Sequence, residues 1–117
     1  MFSVDHESSV TLYEQLMSQF REKVAAGDLI AGTKLPTVRA LATELSVAPY
    51  TVARVYRALE ADGFVETRGR NGTVVSAREG TPVELLQLAA SDYAARAREL
   101  GIDPAEALGY VKAALGQ

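Results

Sequence analysis

Residues 34 to 75, KLPTVRALATELSVAPYTVARVYRALEADGFVETRGRNGTVV, read as helix, turn, helix and then a two-stranded hairpin. Thr37 follows Pro36 and is placed to cap a short helix whose Val38, Leu41, Ala42 and Leu45 form one apolar stripe. Ser46 to Ala48 make a tight connection, and Pro49 sits where a missing N–H is tolerated, in the first turn of a new helix. Val52, Val55, Tyr56 and Leu59 then face a core, which leaves Tyr50, Thr51, Arg54 and Arg57 on the flanks or outside. Gly63 ends that helix. Phe64 to Thr67 and Thr73 to Val75 are β-branched or aromatic at alternate positions, and Asn71-Gly72 between them is the signal of a type I′ turn. The pattern predicts a winged helix-turn-helix with a wing over residues 68 to 73. A helix fits the major groove of duplex DNA while a hairpin beside it reaches the neighbouring backbone or minor groove, so duplex DNA is the expected partner.

Upstream, Thr11 and Glu14 have the spacing of a capping box, and Tyr13, Leu16, Met17, Phe20 and Val24 share one face of a helix that Gly27 stops. Leu29, Ile30 and Leu35 lie in a loop with a short segment that plugs the core, and Leu35 is a candidate third strand beside the wing. The first residues, His6 among them, are expected to be mobile. Downstream, Thr81-Pro82-Val83-Glu84 and Asp103-Pro104-Ala105-Glu106 each combine an N-cap, a first-turn proline and a box glutamate, so two more helices are predicted. The expected fold is mostly α with a small β-wing: a winged helix-turn-helix domain over 1–78, then a two-helix C-terminal dimerisation hairpin over 79–117.

Composition narrows the chemistry. The chain has no cysteine and a single histidine, so a thiolate zinc site, a cysteine nucleophile and a Ser-His dyad are not expected, and no cofactor or metal is called for. There is no glycine-rich phosphate loop after a strand and no carboxylate pair in a catalytic frame, which argues against an enzyme. No run of roughly 18 apolar residues occurs and the N-terminus is polar, so a soluble cytoplasmic protein without membrane association is expected. The net charge of −3 hides an uneven distribution. Residues 34 to 78 carry seven basic against four acidic residues, whereas 79 to 117 carry three against six. Such a modest basic surface predicts salt-sensitive binding that two copies on one site would strengthen.

Leu85, Leu86, Ala89 and Tyr93, continuing to Ala97 and Leu100, form one stripe of the tail; Leu108, Val111 and Leu115 form another. A helical hairpin this small cannot bury both. It packs either on its own winged helix, as a lid, or on a second chain; a homodimer is the preferred expectation because paired half-sites match a two-fold axis.

TLYEQL (11–16), GDLIAGTKLPTVRALATEL (27–45), TVARVYRALEADGFVETR (51–68) and GTVV (72–75) together resemble the DNA-binding domain of GntR-family bacterial transcriptional regulators. The resemblance covers about two-thirds of the chain, and the short tail is similar to that of the YtrA-type subfamily. It implies a repressor that binds an inverted-repeat operator as a homodimer and is modulated by a small effector. By position it implies DNA contacts from Arg39, Thr51 and Arg54 and from the wing residues Arg68, Arg70, Asn71 and Gly72; Thr37 and Tyr50 flank them as further candidates. The residues themselves leave alternatives: Arg39 as a surface partner of Glu44 or Glu60, Tyr50 packed on the wing rather than stacked on sugar, Thr73 as a purely structural strand residue. Ala48 departs from the family's polar cap, and the wing's basic residues are shifted in spacing. A winged helix is not bound to one ligand class, so a protein-protein interaction module is the alternative function.

Overall fold

The computed structural model describes residues 1–69 and 72–117. Among them the chain forms α1 (Leu12–Ala26), α2 (Val38–Leu45), α3 (Pro49–Ala61), β1 (Val65–Thr67), β2 (Thr73–Val75), α4 (Pro82–Glu99) and α5 (Pro104–Ala114). The body is elongated, with extents of 50 × 30 × 28 Å.

The expected helix signals operate as local chemistry. Thr11 Oγ1 accepts the Glu14 amide at 3.1 Å to start α1, and Gly27, at φ 80°, closes it with its amide turned back to the last carbonyls. Thr37 Oγ1 accepts the Ala40 amide at 3.1 Å to start α2. Ala48 at the N-cap of α3 supplies no such bond, as its side chain dictates, and Pro49 occupies the first turn. The stripes meet in one core in which Leu16, Phe20, Leu41, Val52, Leu59 and Val65 are buried. Phe20 and Phe64 pack edge to face with centroids 5.8 Å apart.

Two details, one at a helix end and one in the core, lead to measurable expectations. Ser46, the C-cap of α2, has φ 56°, a conformation that favours glycine. Relief of that strain exceeds the extra entropy that glycine gives the unfolded chain, so Ser46→Gly should stabilise by about 0.5–1 kcal/mol, read as a higher thermal midpoint. Tyr56 is buried on α3 and its hydroxyl donates to the Pro36 carbonyl at 2.6 Å; burial pushes its pKa from 10.0 up to about 12. The folded state therefore holds this proton more tightly than the unfolded chain. Its stabilisation is fully present below pH 10 and is lost as pH rises towards 12. Tyr56→Phe should cost about 1–2 kcal/mol at neutral pH and flatten that alkaline decline in urea titrations.

The wing is antiparallel, with Val65 opposite Val75, Glu66 opposite Val74 and Thr67 opposite Thr73. A two-residue turn centred on Asn71-Gly72 would have set position 70 opposite Thr73. Instead the register continues with the Arg68 amide donating to the Gly72 carbonyl at 2.7 Å, and the Gly72 amide closes on Gly69 at 3.1 Å. Gly69 and Gly72, at φ 50° and 69°, take the left-handed conformations of this wider tip. Asn71, the residue expected to lead the turn, lies outside the described residues. The third-strand expectation holds one residue earlier, as a bridge from Lys34 to Val74; the Leu35 amide donates to Thr73 O at 2.9 Å while its side chain plugs the core.

The first residues are bound to the fold, contrary to the expectation of mobility. Phe2 joins the core, the Ser3 amide donates to Gln19 Oε1 at 3.0 Å, and Gln15 clasps the backbone of Asp5 and Val10. His6 Nε2 donates to the Leu45 carbonyl at 3.1 Å, which ties the segment to the end of α2.

Between wing and tail, Glu84 does more than cap α4. Its carboxylate accepts the amides of Arg78 and Glu79 at 2.9 Å and of Thr81 at 3.2 Å, and these bonds, the Glu79 amide foremost, hold its pKa below the ordinary value. The Arg78 guanidinium stacks 3.9 Å above the Phe64 ring and donates to Asp62 O. α4 then docks on the loop before the third strand. The Ala31 amide donates to Gln87 Oε1 at 3.1 Å, Ser91 Oγ donates to Ala31 O at 2.7 Å, and Gly32, at φ 87°, lies against Ser91 and Leu88. α5 packs on α4 through buried Ala97 and Ala107, with the Tyr93 hydroxyl donating to Ala107 O at 2.7 Å. Of the second capping device only the first-turn Pro104 operates; among the described residues Asp103 makes no side-chain bond to the first turn of α5 and Glu106 forms no box.

Candidate nucleic-acid interface

α2 and α3 carry exposed arginines, Arg39 on the first and Arg54 and Arg57 on the second. Arg39, one residue inside α2, is exposed and forms no ion pair among the described residues. The alternative partners do not hold it: Glu60 Oε2 accepts the Thr67 hydroxyl at 3.1 Å, and neither Glu44 nor Glu60 comes within ion-pair distance of it. Thr37, whose hydroxyl is committed to the helix cap, lies beside it. Tyr50 is 67% exposed at the start of α3. Its ring is flanked by cations, Arg54 at 6.0 Å and Arg57 at 5.9 Å from the centroid.

Arg54 also lies 4.5 Å over the ring of Tyr13. That contact crosses from α3 to α1 and limits the rotamers of a long side chain. Sequence reading assigned Tyr13 to the core stripe, and the structure does leave it partly packed there. No local pattern signals its second role, which arises only when two helices cross. Thr51 is half-buried on the same turn.

The wing is differently arranged. Arg68 is bound through Nη2 and Nε to Glu66 Oε1, at 2.6 and 3.0 Å, so its charge is partly neutralised within the hairpin. Gly72 is half-buried beside Lys34, and Arg70 and Asn71 lie outside the described residues. Thr73 is paired with Thr67 in the ladder, in keeping with its structural alternative.

In the tail, Leu85, Leu86, Ala89 and Tyr93 of α4 and Leu108 and Leu115 near α5 are all exposed, with Leu86 at 73%, and Val111 is half-buried. The face of α4 that meets the head is the opposite one, carrying Gln87, Leu88 and Ser91. No helix is long and apolar enough to cross a membrane, and no cluster of metal-ligating side chains occurs, both among the described residues.

Two short helices joined by a tight turn, exposed arginines on both and a hairpin wing define a winged-helix DNA-binding regulator. The chain belongs to the gntR family of bacterial regulatory proteins, whose family model matches residues 12–75. It is 45% identical over 108 residues to the HTH-type transcriptional regulator Rv1152 of Mycobacterium tuberculosis, a match covering 92% of this chain and 88% of that one. It is 41% identical over 76 residues to the HTH-type transcriptional repressor YtrA of Bacillus subtilis, covering 65% and 58% of the two chains. Among solved structures, YtrA of Sulfolobus acidocaldarius, a GntR-family transcription factor, superposes with a TM-score of 0.60 at 28% identity, covering 97% of this chain and 95% of that one. The protein is thus a DNA-binding transcriptional regulator.

Proposed function

We propose that this regulator is a homodimeric repressor that reads an inverted-repeat operator and is modulated by a small effector. The head, residues 1–78, reads DNA; the tail, residues 79–117, pairs the two heads. The observation that carries the reading is Arg39, exposed at the start of α2 and without an ion pair among the described residues. A guanidinium there is free to bond either a phosphate or the O6 and N7 acceptors of guanine. In this reading Thr37, Tyr50, Thr51 and Arg54 are the further contacts of the helices, and Arg68, Arg70, Asn71 and Gly72 those of the wing.

Pairing through Leu85, Leu86, Ala89, Tyr93, Leu108, Val111 and Leu115 accounts for an apolar face that the head does not cover. Repression is favoured by the likeness to a relative that bears that name. Binding to duplexes selected from a random pool should weaken linearly in log salt, and the selected sites should be palindromic. Salt-independent binding would favour the protein-interaction alternative. In sedimentation, a monomer at high micromolar concentration would remove the dimer.

A further inference from the structure

A cleft of about 630 Å³ separates the head from α4. Its head wall carries Lys34 and Arg68, and its tail wall carries Arg96 and Arg98, while Ile30, Val74 and Ala94 supply an apolar floor. On a chain of net charge −3, four cations on facing walls are a local inversion, offset in the lining only by Asp92 and Glu99. Two of the four are engaged: Arg68 with Glu66, and Arg96 with Glu99 at 3.1 Å. Lys34 and Arg98 form no ion pair among the described residues, and each comes from a different wall. Thr33 and Asp92 add hydroxyl and carboxylate groups beside them.

We propose that this cleft is a binding site for a small hydroxylated organic anion, its phosphate or carboxylate held between Lys34 and Arg98 and its hydroxyls met by Thr33 and Asp92. The volume suits a metabolite-sized ligand. Two cations from opposite walls, neither in an ion pair among the described residues, supply donors for charge-assisted bonds to an anion. The cleft is also mechanically placed. Lys34 pairs with Val74 of the wing, and its side chain runs beside Gly72, where a Cβ would meet its Cε at 3.9 Å. Arg98 belongs to the helix that docks at Ala31 and Gly32. An anion joining the two fixes the angle between head and tail. That regulatory step rests on the dimeric reading given above, because the angle sets the separation of two heads; anion binding itself does not.

The same cations would serve a DNA phosphate, so the test has two arms. In the first, the full chain without DNA is titrated with glucose 6-phosphate, citrate, inorganic phosphate and, as a neutral control, glucose, and amide NMR shifts are followed. Saturable shifts in residues 30–34 and 90–99 are expected with glucose 6-phosphate or citrate and not with glucose. Lys34→Gln with Arg98→Gln should weaken them at least about tenfold while leaving the rest of the spectrum unchanged. Absence of saturation by about 10 mM with every anion, or equal binding by the double variant, overturns the site. In the second arm, the double variant without added anion should bind the selected duplex with wild-type affinity and salt slope. A weaker affinity with a slope shallower by about 1 to 2 would make these cations DNA contacts and overturn the proposal. A monomer in sedimentation would remove the dimeric reading and leave the first arm standing.

Discussion

Arg39→Ala is expected to lower affinity for the selected operator by roughly 30-fold to more than 10⁴-fold, from about 1–3 kcal/mol at each of two half-sites. The side chain is exposed and pairs with no carboxylate among the described residues, so its removal neither leaves a buried charge nor opens a cavity. The thermal midpoint should therefore move little, which separates lost recognition from lost folding. Arg68→Ala is expected to cost less, because Arg68 must first leave a bidentate contact with Glu66 before it can reach DNA. Unaltered gel-shift titrations for Arg39→Ala would move the reading surface away from α2.

Gly32→Ala is expected to destabilise the chain by about 2–4 kcal/mol. Two independent effects add. At φ 87° an alanine is strained by about 1–2 kcal/mol wherever it sits. Its Cβ would also lie 2.8 Å from Ser91 Cβ and 2.9 Å from Ser91 Oγ, and a helix Cβ cannot swing aside. α4 must retreat, which strains the bonds from Ser91 and Gln87 to Ala31. Gly27→Ala provides the internal control, since its φ is 80° but nothing lies within 4 Å. Urea midpoints that fall equally for both variants would show that strain alone acts and that α4 is not seated on Gly32.

What periodicity and caps encode was legible in advance. The apolar stripes of α1, α2 and α3, the Thr11, Thr37 and Thr81 starts and the Gly27 stop depend on residues within one turn of each other, and each operates locally in the fold. Contacts across long separations carry no such signature. Phe2 enters the core through the clasp of Gln15 and Gln19, polar residues that read simply as the exposed face of α1. The wing register escaped for a related reason: Asn-Gly favours one turn locally, but Gly69 and the pairing of Thr67 with Thr73 select another. On α2 and α3 the exposed set Arg39, Tyr50 and Arg54 followed from helix geometry. The pairing of side chains, Arg54 with Tyr13 and Arg68 with Glu66, came only from three-dimensional packing.

The elongated body has a kinetic consequence. With nine basic and nine acidic residues over 1 to 78 and three against six over 79 to 117, the net negative charge sits at the tail end of the elongated molecule. In the field of a polyanion, such a particle feels a torque before it touches anything. The acidic tail is turned away and the winged-helix head is turned inward, so a larger share of diffusive encounters begins with the head facing the polyanion. The overall negative charge meanwhile shortens the dwell on unrelated sequence, which favours rapid search over tight idle retention.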